Sequence, residues 1–322
     1  MEDGKASEAA RANHHRPALA QTEIAPEADA MSTELRITGL FTYPIKSCGA
    51  VAHERIDFDA FGLAWDRRWM LVDGAGDFVT QRTLPRLALA RPTVIADELQ
   101  VTAPGQPTLR VPLRAPHPTT STVQVWGDRV EAWDEGDIAA DWFHNYTGTE
   151  LRLVRFPDDA IRPINPKYNT LPGATTAFAD GFPLLLATEE SLADLNQKLV
   201  HRGGLPIPMS RFRPNVVLTG AAYPFAEDDW LSVRSGERQL DIVKPCSRCV
   251  MTTTDQATGN IPVRGEPLAT LAQYRRWENH VAFAQNVVAH GRGPLTVHAP
   301  VHVALQGIRN RWGIWPAIGS AA

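Results

Sequence analysis

The chain has 322 residues, 43% of them hydrophobic and 21% charged, with a net charge of −4. No basic stripe stands out, which argues against a nucleic-acid partner, and the longest apolar runs, such as 182–187, fall far short of the roughly 20 residues that span a bilayer. Three cysteines, Cys48, Cys246 and Cys249, are too few for a disulfide framework, so a reducing, cytoplasmic setting is expected.

This length suits about two domains. The 23 glycines and 25 prolines imply many turns and short elements, hence a β-rich chain. Residues 1–33 are rich in alanine and lean acidic, matching neither the apolar core of a secretory signal nor an arginine-rich transit peptide. They read as a disordered leader, with Met31 as a candidate start.

Residues 34–155 form the first expected module. Runs beginning at Leu35, His53 and Arg68 are β-branched or aromatic, and turns such as Asp73-Gly-Ala-Gly-Asp77 separate them. Period-two alternation marks strands near Leu99 and Leu109. A hairpin is expected across 123–133, turning at Gly127-Asp128. A helix follows over 137–146, with Ile138, Trp142 and Phe143 on one face and an exit at Gly148.

Residues 156–305 form the second module. The Pro- and Asn-rich stretch 156–175 reads as a linker or a loop over a cavity. Thr188 offers a hydroxyl N-cap to a helix carrying Leu192, Leu195 and Leu199 on one stripe. Strands resume at Asn215, and a further helix is expected over 268–280. Residues 306–322 are left as a tail. The fold class is therefore β-rich α+β in two modules.

Chemistry concentrates at Lys244-Pro-Cys-Ser-Arg-Cys249. Zinc needs four ligands, and neither the remaining cysteine nor the histidines show a partner spacing. A thioredoxin-type dithiol wants a helix at the motif, whereas Val250-Met-Thr-Thr-Thr is strand-prone. Taken bare, two buried structural cysteines remain an equal reading. Arg248 beside the thiols, together with Lys46-Ser47, Asp66-Arg67-Arg68 and Arg211-Phe-Arg213-Pro-Asn215, would supply cations and amides to a phosphate-bearing heterocycle, though each alone reads as surface charge.

Eight motifs occur in order: Tyr43-Pro-Ile-Lys-Ser47, Asp66-Arg67, Phe178-Ala-Asp180-Gly-Phe-Pro183, Ser191-Leu-Ala-Asp-Leu-Asn196, Phe212-Arg-Pro-Asn215, Lys244-Pro-Cys-Ser-Arg-Cys249, Glu266-Pro-Leu268 and Phe283-Ala-Gln-Asn286. Over about residues 34–305 the chain resembles the MOSC superfamily, in the branch of the mitochondrial amidoxime-reducing component and its bacterial relatives. The resemblance implies an N-terminal MOSC-associated β-barrel domain followed by a MOSC β-barrel. It implies a molybdenum cofactor (Mo-molybdopterin) whose metal is held by one dithiolene and one protein cysteine, here Cys249, with Cys246 left to a supporting or structural role.

By the same resemblance Lys46, Ser47, Arg67, Arg213, Asn215, Ser247 and Arg248 match positions around the pterin and its phosphate. Asp180 matches an acidic residue near the metal, and Gly181 and Phe182 line the cofactor. The implied activity is reduction of small N-hydroxylated substrates, amidoximes or hydroxylamines. The alternative is a carrier of the cofactor or of persulfide sulfur. No iron–sulfur, flavin or nicotinamide motif is present, and no cysteine follows Cys249 to build a plant-type ferredoxin domain. A separate electron donor is therefore expected: a ferredoxin, a cytochrome b5-like protein or a flavin reductase. Departures from the family pattern are His298-Ala-Pro300, Ala284 and the tail 309–315.

Overall fold

The computed structural model describes residues 34–114, 119–168 and 171–307. The expected leader and the Trp-rich tail lie outside these. Among strands of four residues or more, the first part of the chain contributes β1 (Leu35–Thr42), β2 (Trp69–Val72), β3 (Arg91–Ile95), β4 (Glu98–Thr102), β5 (Leu109–Pro112), β6 (Thr120–Val125) and β7 (Asp128–Asp134). Helix α1 (Asp137–Thr147) and β8 (Arg152–Arg155) follow. The second part supplies β9 (Leu184–Thr188), α2 (Glu189–His201), β10 (Val216–Thr219), β11 (Trp230–Ser235), β12 (Arg238–Ser247), α3 (Leu268–Leu271), β13 (His280–Gly291) and β14 (Pro300–Gln306).

The fold is sheet-rich, with a closed barrel and a half-barrel. Strands β9, β10, β1, β14, β11, β12 and β13 pair in that order, and β13 returns to β9 to close the ring. Closure removes the exposed edges that an open sheet would present. The barrel interior is apolar, with Ile37, Leu40, Leu186, Val216, Leu218, Val233, Leu240 and Val287 buried. Strand β1 belongs to this ring, antiparallel to both β10 and β14, although it comes first in the chain.

The half-barrel is the sheet β6-β7-β8-β2, accompanied by the three-stranded β3-β4-β5. Trp69, Leu71, Trp142, Phe143 and Tyr146 pack in one core there, and Met70, Val123, Ala132 and Phe156 in another. Helix α1 ends as its sequence predicts, with Gly148 in the left-handed region at φ 73° and its N–H donating to His144 O.

Four local expectations change. Ile138 is 79% exposed and does not share the buried face of Trp142 and Phe143. The hairpin turns one residue earlier than expected, because Val125 pairs with Asp128 and leaves Trp126-Gly127 in the turn. The helix expected over 268–280 stops at Leu271. Beyond it Arg276–Trp277 pairs with His280–Val281, and β13 runs on to pair with β12, so strand pairing overrides helical periodicity. Finally, Val250–Thr253 forms a 3₁₀ turn rather than a strand, with Cys249 at its cap.

Helix α2 starts on a buried polar knot. Thr188 Oγ1 accepts from the Ser191 N–H, and the Ser191 and Thr188 hydroxyls reach Glu227 at 2.8 and 3.0 Å. Burial, reinforced by neighbouring Asp228, pushes the Glu227 carboxyl up from 4.5 to about 7. The folded protein therefore holds this proton more tightly than the unfolded chain. Stability from it is fully present below about pH 4.5 and is lost as pH rises to about 7. The shift corresponds to about 3 kcal/mol. Urea unfolding at several pH values between these limits should show the wild type losing stability as pH rises and Glu227→Gln losing much less. Parallel profiles would refute the assignment.

Candidate functional site: a cationic cleft around Cys249

Residues from both parts of the chain line one open cleft. Each of the eleven residues singled out from the sequence lines it. Lys46 and Ser47 follow β1, and Arg67 precedes β2. Asp180, Gly181 and Phe182 precede β9, and Arg213 and Asn215 lead into β10. Ser247, Arg248 and Cys249 stand at the end of β12. Arg68, from the same cluster as Arg67, turns away to Asp59, Asp158 and Phe156 O.

Backbone strain gathers here. Ser47, Arg67 and Arg213 lie in the left-handed region, with φ of 66°, 49° and 56°. For non-glycine residues each such conformation costs on the order of 1 kcal/mol and persists only where surrounding contacts impose it. Those contacts are visible. The Lys46 N–H donates to Trp69 O at 2.8 Å and the Arg67 N–H to Tyr43 O at 3.0 Å. The guanidinium carbons of Arg67 and Arg213 lie 4.3 and 4.2 Å from the centre of the Tyr43 ring. Buried Gln81 and Gln256 exchange amide hydrogen bonds of 3.0 and 2.9 Å. Gln81 also donates to Ser47 O, and Gln256 accepts from Arg213.

Asn215 ties the cleft floor together. Its side-chain oxygen accepts from Leu185 N at 3.1 Å and from Arg67 Nη1 at 3.0 Å, and its amide donates to Phe41 O at 3.0 Å. Arg211, part of the cationic cluster noted in the sequence but given no role of its own there, donates to Thr252 O and Thr253 O at 2.8 Å each and so braces the turn after Cys249.

The cleft is strongly cationic. Lys46, Arg67, Arg82, Arg211, Arg213 and Arg248 line it against the single acid Asp180. Burial lowers the Lys46 ammonium, opposed by its ion pair with Asp180. Desolvation works against the charge on Asp180, but Lys46 and the Trp126 indole, 3.2 Å from its carboxylate, outweigh it and hold the group well below the usual carboxylate range. Burial brings Arg213 down to about 10 and lifts Tyr43 to about 12, in the latter case despite Arg213 and Arg67. Such a lining selects an anionic ligand.

The donor chemistry fits a phosphate-bearing pterin carrying a soft metal. The buried Ser47 Oγ and Arg248 Nε have no protein partner, the condition of donors waiting for a ligand. Among the described residues no group of three or more His, Cys, Asp or Glu could hold a metal. A metal held here by a single thiol would need its further ligands from a cofactor of its own. The two thiols differ. Cys246 Sγ accepts from Arg248 Nη1 at 2.8 Å, whereas Cys249 Sγ meets only the Arg82 guanidinium, at 3.6 Å. Arg82 and its neighbour Trp126 carried no signal in the sequence, because only the fold brings residue 82 beside residue 249.

A sheet-rich protein with a closed barrel, a half-barrel and a cationic thiol-bearing cleft is of the MOSC class. Residues 34–150 match the MOSC N-terminal beta barrel domain and residues 174–302 the MOSC domain, and the chain belongs to the MOSC superfamily. Its relatives include mitochondrial amidoxime-reducing component 1 of Homo sapiens, 33% identical over 83% of this chain and 82% of that protein. The Xenopus laevis protein of the same name is 32% identical over 83% and 81%. A molybdenum cofactor sulfurase of Oryza sativa subsp. japonica is 32% identical over 78% of this chain, which spans only 32% of that longer protein. Among the described residues no helix is long and apolar enough to cross a membrane.

Proposed function

We propose that this chain is a molybdenum-cofactor-dependent oxidoreductase. It reduces amidoximes and hydroxylamines to amidines and amines, with electrons from a separate donor protein in a reducing, cytoplasmic setting. The observation that carries this reading is the Cys249 thiol on the wall of a cleft with six cations and unpartnered donors. Similarity to proteins named amidoxime-reducing components supports it.

Cys249 would hold the metal, and its thiolate suits a sulfur-rich redox centre. Lys46, Ser47, Arg67, Arg213, Ser247 and Arg248 would bind the pterin and its phosphate, with Asn215 fixing Arg67 and the floor beneath them. Gly181 and Phe182 would close one wall. When bound, the cofactor supplies the two-electron chemistry that takes oxygen from nitrogen. Asp180, which rests as a carboxylate paired with Lys46, would carry protons only in passing between solvent and the reacting centre.

The runner-up is a carrier of the cofactor or of persulfide sulfur, favoured by the similarity to the rice sulfurase. Purified protein with reduced viologen and benzamidoxime separates the two. Formation of benzamidine is the expected result. A cyanide-labile persulfide without molybdenum, and no benzamidine, would establish the carrier instead.

A further inference from the structure

The six cations of the cleft are not equivalent. Lys46 donates to Phe178 O, and Arg67 to Asp66 and Asn215. Arg211 is spent on Thr252 O and Thr253 O, Arg213 on Gln256 Oε1, and Arg248 on Phe212 O. Arg82 differs. Among the described residues its guanidinium meets no oxygen acceptor, only Cys249 Sγ at 3.6 Å and the face of Trp126, 4.6 Å from guanidinium carbon to ring centre. Trp126, at the tip of the β6–β7 hairpin with φ 58°, is itself pinned by its indole N–H to Asp180. The ring thus holds a half-buried guanidinium at the thiol, with its donor fork uncommitted.

Resting on the reductase reading above, we infer that Arg82 is a catalytic residue that binds the oxygen of the substrate's N–O bond, with Trp126 as its positioning residue. Its place at the thiol rather than among the cations engaged deeper in the scaffold puts it at the reacting end of the cleft. The reaction it assists balances as one N–O bond broken, two electrons from the donor protein, two protons from solvent, and amidine plus water as products. Arg82 does not give up a proton. Its N–H groups stabilise the negative charge that builds on oxygen as the bond to nitrogen weakens, as preorganised donors do in oxyanion sites. Within the substrate class already proposed, the preference should be for the oxygen on nitrogen itself.

The test uses holoprotein. Arg82→Ala should lower kcat for benzamidoxime by ~10²–10³-fold, the range for loss of one preorganised donor. Molybdenum and pterin content should stay at the wild-type level, and added guanidinium should restore part of the rate. Arg82→Lys, a point charge without the fork, should recover only part of it. A kcat and KM within about twofold of wild type would overturn the inference, as would loss of the cofactor from the variant.

Calorimetric titration makes the result independent of turnover. Wild type should bind benzamidoxime more tightly than benzamidine, which lacks the oxygen, and Arg82→Ala should lose that preference. If wild type shows the preference but reduces nothing, the reductase reading and the catalytic role of Arg82 fall, and Arg82 keeps only its place as the group that binds the oxygen. An unchanged preference in the variant sinks the Arg82 assignment whatever the wild type reduces.

Discussion

Cys249→Ser is expected to abolish reduction of benzamidoxime and to leave the fold intact. The thiol is the one group in the cleft able to offer a soft anionic ligand without first breaking a short contact to a scaffold donor, since Cys246 Sγ is already 2.8 Å from Arg248. A serine hydroxyl is a hard, high-pKa donor and a poor substitute toward a sulfur-rich metal. Packing barely notices the change, because Cys249 Sγ has Arg82 at 3.6 Å as its hydrogen-bond partner and lies at the cleft surface. Stability should stay within about 0.5 kcal/mol of wild type. Cys246→Ser is the internal control and should keep most of the turnover. Steady-state kinetics and urea unfolding on both variants check this. Equal loss in the two would refute the separation of the thiols.

Asn215→Ala should have the largest effect on stability among the site residues. The side chain is 1% exposed and joins β1, β9 and Arg67 through three hydrogen bonds of 3.0–3.1 Å. Truncation strands the buried Leu185 N–H and the part-buried Phe41 carbonyl and releases a guanidinium whose side chain is 14% exposed. Each buried group left without its partner costs about 1–3 kcal/mol, so a loss of about 3–5 kcal/mol is expected. It should appear as a lowered urea midpoint, with cofactor retention falling in step as Arg67 loses its anchor. An unchanged midpoint would mean that water replaces the amide at no cost, contrary to the burial seen here.

The elements legible in the sequence are those whose signals are local. Period-two alternation marked β4 and β5, Gly148 marked the end of α1, and the Thr188 hydroxyl marked the start of α2. The positions around the cleft came from ordered motifs, and the fold does gather them on one surface. What stayed illegible depends on distant partners. The 268–280 segment carries helical spacing, yet its second half pairs as strand once β12 is alongside. Arg82 carried no signal of its own, because the thiol that gives it meaning lies 167 positions away. Trp126 is placed by the hairpin, and only the cleft supplies its Asp180 partner.

Counting the sulfur atoms bound to molybdenum tests the central claim most directly. X-ray absorption at the molybdenum edge of purified holoprotein should show three sulfur neighbours, two from the dithiolene and one from Cys249. In Cys249→Ser protein reconstituted with the cofactor it should show two. A wild-type spectrum with two sulfurs, or three in the variant, would contradict the assignment of Cys249 as the ligand.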